Sequence, residues 1–493
     1  MVQYRKKISL VALLPGLIVL LMSSCSRQQG ADINKLLESY EELDKFSGTV
    51  LVAKGGEIFF QKSYGLANRE WKQSFQDDTR FRIASVTKQF TAVLILQLAE
   101  AGKINLQNPL SHYLPYYRKD VGGQVTIHQL LTHTAGLAEY TFKSDFFSDV
   151  SKRQFTTREF VEKFCSDTLM FTPGTNYQYT NTGYYILGAI IEEVTDKDYA
   201  TILRENILEV AGMENSGIES GLDISVKRAG GYNYSYGTYS NADYMELGSA
   251  VLSAGAMYAT AYDLFLWDKA LFSDKLLTAE SRIRMMTPVM ANYGYGVGIT
   301  KFVHPELKKE MHFVFHQGAI NGFRSMLTLI VNDDIVVILL CNNFDTDLNQ
   351  ISNAIFAILN DQPYQLAKVS IVEQMNNVLL KDGMAKAINF YQQNKDNEHF
   401  DINQLEYELN RFGYHLMNQG QLQDALLVFE LNVLENAASS NAYDSYAEAL
   451  MKNKQPAEAI IQYKRSIDLN PSNVNAVNQL KALQDTLRLS LKK

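Results

Sequence analysis

The spacing of apolar residues changes character three times along the chain. Ile8 to Met22 is an apolar run of 15 residues, interrupted by Pro15-Gly16. From Ile33 to about Asn360, helical and strand periods mix. Ile33–Phe46 repeats its apolar positions as an amphipathic helix does. Thr49–Ala53 and Ile58–Tyr64 flank Lys54-Gly55-Gly56-Glu57 and predict a hairpin. Near the far end, His312–Phe315, Met326–Val331 and Ile335–Cys341 predict three more strands, the last two joined by Asn332-Asp333-Asp334. Leu348–Leu359 predicts a closing helix. Strands at both ends thus bracket a mostly helical middle. Such a sheet is completed only by joining the two ends of the region, an α+β arrangement. After Gln362-Pro363 the strand signals vanish, and 366–493 is helical throughout. The expected divisions are a leader over 1–24, a mixed domain over 25–362 and a helical domain over 366–493.

The helical end has its own period. Gly413 and Ala447, Leu416 and Leu450, Ala425 and Ala459, and Phe429 and Tyr463 are each 34 residues apart. Small residues where paired helices touch, aromatics between them and Pro471 after Asp468-Leu469-Asn470 resemble tetratricopeptide repeats. Ala387 and Tyr391 echo the same pattern in a degenerate earlier unit. The alternative is a plain helical bundle with chance spacing. Two or three repeats make a short stack, whose expected role is contact with a protein partner or with the main domain.

Composition narrows the function. Among 493 residues, 46 are Lys or Arg and 54 are Asp or Glu, a net charge of −8. A nucleic-acid binder would carry a basic surplus instead. With 46% hydrophobic and 20% charged residues the chain is globular, neither disordered nor polytopic in a membrane. Three cysteines exclude a disulfide scaffold. Length alone predicts about three domains, whereas the patterning supports two after the leader.

The leader has a positive start at Arg5, Lys6 and Lys7. Its apolar run is shorter than the roughly 20 residues of a membrane span and suits a secretory signal. Leu21-Met22-Ser23-Ser24-Cys25 resembles a bacterial lipobox, although Leu is commoner where Met22 stands. The resemblance implies lipidation at Cys25, and Ser26 in place of Asp favours the outer membrane. An ordinary signal peptide with Cys25 as bystander is the alternative. Cys165 and Cys341 are expected to be buried thiols, with a disulfide between them as the other reading.

Candidate chemistry lies in the mixed domain. Ser85-Val86-Thr87-Lys88 places a serine and a lysine three residues apart at the start of a predicted helix ending at Gly102, so both share one face. A serine hydroxyl needs a base, and a buried lysine can serve because desolvation lowers its pKa. The helix N-terminus favours a developing oxyanion. Ser-x-x-Lys recurs at Ser490–Lys493, in a charged tail, so the motif alone is weak. Tyr179-Thr180-Asn181 follows Pro173-Gly174 and precedes a predicted helix, Gly183–Val194. A tyrosine there can shuttle a proton to a leaving group, and the Asn amide can hold lysine and substrate. Tyr-x-Asn also recurs, at Tyr239-Ser240-Asn241, within a run of tyrosines (Tyr232, Tyr234, Tyr236, Tyr244) that suits a substrate cleft or a solvent-facing hairpin. His316-Gln317-Gly318 then lies on a candidate strand, where Gly318 lets a substrate backbone approach.

Ser-x-x-Lys, Tyr-x-Asn and His-x-Gly in this order resemble the penicillin-recognising serine hydrolases, in the branch of class C β-lactamases, D-aminopeptidases and related esterases. Phe81–Ala84, Leu130–Leu137, Ser253-Ala254-Gly255, Tyr293–Gly296 and Gly322-Phe323 fit the same branch, and the likeness spans roughly residues 40 to 360. It implies a β-lactamase-like antiparallel sheet flanked by helices, with a helical subdomain. It also implies Ser85 as acylated nucleophile, Lys88 as base, Tyr179 as proton relay and Asn181, His316, Gly318 and Ala319 as substrate-binding residues. The N–H groups of Ser85 and Ala319 would form the oxyanion hole. Which of Lys88 and Tyr179 takes the first proton stays open.

Two departures bear on substrate. Many β-lactamases carry Lys where His316 stands, and a neutral imidazole attracts a carboxylate less than an ammonium does. A Thr or Ser hydroxyl is also commoner than Gln317. The first argues against true β-lactamase activity; the second leaves the substrate class open but not the acyl-transfer chemistry. No cofactor and no metal are expected. His128 and His133 lack the further ligands a zinc site needs, and His133 is expected to make a structural hydrogen bond.

Two functional classes remain. One is a lipid-anchored envelope hydrolase cleaving an amide or ester, with a D-amino-acid peptide or small ester as substrate. The other is a catalytically weak sensor or scaffold whose repeats recruit a protein. The four residues Ser85, Lys88, Tyr179 and Asn181 together favour the first.

Overall fold

The computed structural model describes residues 14–221, 224–303 and 310–490, with side chains from 27 to 485. Residues 1–13 of the expected leader, the Cys25 side chain and Leu491–Lys493 of the second Ser-x-x-Lys lie outside the described residues. The chain divides between Leu366 and Ala367 into two compact units.

The first unit is built on a six-stranded antiparallel sheet. Its strands are β1 (Gly48–Lys54), β2 (Glu57–Tyr64), β3 (Gly298–Val303), β4 (Glu310–Ile320), β5 (Phe323–Ile330) and β6 (Ile335–Cys341). The spatial order is β3-β4-β5-β6-β1-β2. The first hairpin therefore pairs with the last strand, with Val52 opposite Val337. All seven residues of β6 are buried, so the sheet is covered on both faces there. Helix α1 (Leu14–Glu42) packs on β2 and on the closing helix, Leu348–Leu359. The helix Ala261–Leu271 packs on β1 and β6.

Three elements differ from the sequence expectation. Helix α1 begins before Ile33 and stops at Glu42, because Asp44 turns the chain with φ +55°. Strand β4 continues five residues past Phe315, which puts His316, Gln317 and Gly318 on it. Strand β3 went unpredicted: four of its six residues are exposed at the sheet edge, so it lacks an apolar alternation to read.

Cys165 and Cys341 are both buried, free thiols. No helix among the described residues is long and apolar enough to cross a membrane.

Among its described residues the second unit contains seven helices, from Ile371–Asp382 to Val474–Ser490, plus a two-residue parallel pair, Val369–Ser370 with Phe400–Asp401. The positions matched at the 34-residue spacing are buried in both copies. A Cβ on Gly413 would lie 2.6 Å from the Phe429 ring, so the aromatic of one helix fills the space a side chain would need on its neighbour.

Candidate active site

Ser85 lies on one 3₁₀ turn, Ala84–Val86, that runs into helix α2 (Thr87–Glu100). Ala84 holds φ +48°, a region that residues with a Cβ rarely enter, just before the nucleophile candidate. The turn is braced by Thr87 Oγ1, which donates to the Ala84 carbonyl (2.6 Å). It is also pressed against β4. A Cβ at Gly318 would sit 2.2 Å from the Ile83 carbonyl oxygen and 3.0 Å from the Ala84 Cβ. Glycine at 318 is what allows the strand and the turn to meet.

Lys88 follows one turn later and is wholly buried. Its Nζ donates to Ser85 Oγ (3.0 Å), Asn181 Oδ1 (2.8 Å) and the Ala254 carbonyl (2.8 Å). Burial without a direct carboxylate partner disfavours the ammonium and lowers its pKa to about 7, an effect that the charge of Glu139 partly opposes. Two of the three partners are carbonyl oxygens, which can only accept. When the amine is neutral, its two N–H bonds stay with those carbonyls and its lone pair is left facing Ser85 Oγ.

Helix α3 (Asn181–Thr195) begins at the second motif, capped by the Thr180 hydroxyl, which accepts from Thr182 N–H. The preceding loop is held by His133. Its carbonyl accepts from Gln178 N–H (2.9 Å), and its Nδ1 accepts from Thr180 N–H (3.2 Å). Burial holds the His133 ring neutral, with a pKa well below the usual value. The ring packs against Tyr179, tilted by 40° with the ring centres 4.3 Å apart, so the expected structural histidine orients the proton relay candidate.

Tyr179 keeps 37% of its surface open to the cleft. Its phenol is packed deeply enough that desolvation raises its pKa above the ordinary value, partly offset by its hydrogen bond with Ser85. The Lys88 ammonium position is 5.0 Å from the Tyr179 ring centre. A neutral phenol beside a lysine that titrates near 7 makes the amine the stronger candidate for first base.

Glu139 belongs to the site but was not singled out by sequence reasoning. It is buried, and its carboxylate accepts from Asn181 N–H, from Thr141 N–H (3.1 Å) and from Asn181 Nδ2 (3.4 Å). It thereby turns the Asn181 amide so that Oδ1 faces Lys88. The signal was present as an acid inside the otherwise uncharged stretch Leu137-Ala138-Glu139-Tyr140.

His316 is buried on β4. Its Nδ1 lies 2.7 Å from the Gln317 carbonyl and must donate to it, which leaves Nε2 to accept from Tyr293 O–H (2.9 Å). Desolvation and the nearby Lys88 push its pKa down to about 3. The imidazole is therefore neutral at any ordinary pH. Gln317 donates from Nε2 to Asn349 on the closing helix. Gly296, with φ +71°, backs onto α2, where a Cβ would sit 2.6 Å from the Lys88 carbonyl oxygen.

Ser85 lies where two cavities meet. A cleft of about 720 Å³ is lined by Tyr179, Tyr293, His316, Gly318 and Arg324, among others. A smaller cavity of about 160 Å³ lies beyond Asn181. Ser85, Asn181 and Ala319 border both. The structure thus brings Ser85, Lys88, Tyr179, Asn181, His316, Gly318 and Ala319 together. It leaves Tyr239 on the hairpin Tyr232–Ser235 with Thr238–Asn241, among residues that line neither cavity. Nor does it join His128 to His133; His128 Nδ1 pairs with the Tyr295 hydroxyl instead (2.8 Å).

A family model described as Beta-lactamase matches residues 33–360. The chain belongs to the beta-lactamase family. Penicillin-binding protein 4* of Bacillus subtilis (strain 168) is 30% identical over 355 residues, covering 68% of this chain and 77% of that protein. The crystal structure of a penicillin-binding protein from Bacillus halodurans is 30% identical with a TM-score of 0.57, covering 66% of this chain and 99% of that one. D-amino acid amidase from Ochrobactrum anthropi SV3 shares the fold, at 22% identity and a TM-score of 0.59 over 68% of this chain and 99% of that one. The beta-lactamase family assignment places this chain among penicillin-binding-protein-like serine hydrolases as a family, and its matched span contains every residue of the cluster around Ser85.

Proposed function

We propose that the chain is a cell-envelope serine hydrolase that cleaves an amide or ester through an acyl-enzyme on Ser85. The observation that carries this reading is the lysine beside the serine. Its N–H bonds are committed to two carbonyls, its pKa is lowered to about 7, and its lone pair faces Ser85 Oγ. In the first step neutral Lys88 takes the Ser85 proton as Oγ bonds to the substrate carbonyl carbon. The oxyanion is met by the N–H groups of Ser85 and Ala319. As the tetrahedral adduct collapses, the bond to the leaving group breaks, and that group takes a proton from Tyr179, which recovers one from Lys88. Water, activated by the same amine, then releases the acyl group.

The neutral His316 supports peptide or ester hydrolysis over hydrolysis of β-lactams. Arg324 is the one charged residue among the described residues lining the large cleft, held by a hydrogen bond from Nε to the Phe344 carbonyl (2.8 Å). A C-terminal carboxylate in the leaving half of a D-amino-acid peptide would meet it there.

A fluorophosphonate or penicillin probe tests the reading. The wild type should be labelled and should turn over a p-nitrophenyl ester, while Ser85→Ala should do neither. Equal labelling of both would remove Ser85 from its role. Absence of both labelling and turnover in the wild type would favour a sensor or scaffold.

We further propose that acylated Cys25 anchors the protein and that the C-terminal helices are tetratricopeptide-like repeats serving a protein partner. The lipobox-like Leu21–Cys25 and the 34-residue spacing support these assignments. A truncation ending at Leu366 should keep both membrane association and ester turnover. Loss of either would overturn the corresponding assignment.

A further inference from the structure

The leaving group and the acyl group of a substrate must depart from Ser85 in different directions, and the two cavities differ in what they offer. Tyr179, the proton donor for a leaving group, lines the large cleft and not the small cavity. Resting on the hydrolase reading above, that arrangement sends the leaving half of the substrate into the cleft and the acyl half past Asn181 into the small cavity. The small cavity is walled by Phe146, Phe147, Met245, Val251, Ile320 and Phe344. None of the described residues lining it is charged. The carboxylate of Glu139, beside two of the lining residues, already accepts from Asn181 and Thr141. Its volume is about 160 Å³, and an apolar cavity of about 150 Å³ admits a benzene-sized molecule.

We propose that this cavity selects the acyl half of the substrate: the enzyme takes acyl groups ending in one compact apolar unit of benzene size, such as an arylacetyl group. Smaller acyl groups leave the cavity unfilled and forgo its apolar contact. Long unbranched chains exceed it. Met245 and Val251 are specificity-determining residues, because both line the small cavity and neither lines the cleft that Tyr179 faces.

The experiment compares p-nitrophenyl acetate, phenylacetate and laurate on the full chain, each rate normalised to the ester's own alkaline hydrolysis. Phenylacetate should exceed acetate in kcat/KM by about 10- to 100-fold, the return expected for burying an aromatic group, and laurate should fall below phenylacetate. Val251→Phe, which fills the cavity, should remove the phenylacetate preference, bringing the phenylacetate-to-acetate ratio of kcat/KM to about one. Met245→Ala, which enlarges it, should move the preference toward a naphthylacetyl ester and serves if Val251→Phe does not fold. A flat or laurate-preferring profile in an enzyme whose Ser85 still labels with fluorophosphonate would overturn the cavity assignment alone. Failure of labelling and of turnover with all three esters would overturn the hydrolase reading and this proposal with it.

Discussion

The chain carries two Tyr-x-Asn sequences, and the contrast between their surroundings shows what makes a motif into a site. Asn181 opens helix α3 with every polar atom of its amide committed: Oδ1 accepts from Lys88, and Nδ2 and the backbone N–H both donate to Glu139. Tyr179 beside it shares Ser85 as a hydrogen-bond partner. Asn241 ends an exposed hairpin strand. Tyr239 lies under the Arg69 guanidinium, 3.2 Å from its ring centre, and donates to Asp44 Oδ1 (3.1 Å). Both phenols have raised pKa values, chiefly through burial. A shifted tyrosine therefore does not define a site. The difference lies in the buried amine: Tyr179 faces a lysine that can exchange a proton, and Tyr239 faces a guanidinium that holds its protons.

That contrast breaks most sharply at Lys88. Lys88→Met keeps the length and buries no charge, but it deletes the base and strands the Asn181 and Ala254 carbonyls. Ester kcat/KM should fall by at least about 10³-fold, the scale seen when a nucleophile loses its base, whereas Asn241→Ala should stay within about twofold. In the wild type the neutral amine is the working form, so kcat/KM should rise with pH through about 7 and then level off. Stability follows the same sign. Between about 7 and the ordinary lysine value near 10.4, the folded state binds fewer protons than the unfolded state, so the stability contributed by this residue rises with pH across that window. Below 7 the cost of burying the amine is fully present. Lys88→Met should flatten that slope in thermal melts. A variant that retains the wild-type rise in turnover near pH 7 would assign the limb to another group.

The two tyrosines give the next contrast. Tyr179→Phe should lower kcat by about 10²-fold or more, the usual contribution of a positioned proton donor. The loss should be largest for esters whose leaving groups most need a proton and smallest for p-nitrophenol. Tyr239→Phe should leave turnover unchanged and cost about 1 kcal/mol of stability through its lost hydrogen bond to Asp44, read as a shift in melting temperature. Equal kinetic losses from both would mean that the hairpin reaches the site in solution.

Much of this was legible in the sequence because it rested on periodicity and spacing. Ile335–Cys341 is apolar at nearly every position and could be little else than a central strand, and its observed bounds match the pattern. The three-residue step from Ser85 to Lys88 needed only helical geometry. What the sequence concealed depended on partners distant along the chain. Edge strand β3 had no apolar rhythm to mark it. The neutrality of His316 comes from burial and from the charge of Lys88, far away along the chain. Glu139 acts on Asn181 across 42 residues. An acid in a loop is ordinarily solvated, and the uncharged neighbours of Glu139 mark it as unusual without showing that it supports an amide.

Glu139 is therefore the finest test of the comparison: Asn241 also meets a carboxylate, Glu70, but on an exposed hairpin strand, whereas Glu139 holds the amide that faces the buried Lys88. It touches neither the nucleophile nor the cleft and acts as a positioning residue in two ways. Its oxygens accept from the Asn181 amide, fixing Oδ1 toward Lys88, and its negative charge raises the Lys88 pKa against the larger effect of burial. Glu139→Gln keeps the size and removes the charge. One of its two former acceptors becomes an N–H₂ group, which must turn away from the donors on Asn181 or Thr141. The amide of Asn181 then loses its preference for one orientation, and Lys88 loses one of its two carbonyls part of the time. The expected kinetic loss is about tenfold in kcat, less than for either catalytic side chain. The pH limb should move downward, because the charge that favoured the ammonium is gone. A purely structural role would lower the melting temperature and the amount of active enzyme while leaving the limb of the surviving fraction in place. A limb that stays put, or that moves up, would separate Glu139 from the lysine and leave the orientation of Asn181 to other contacts.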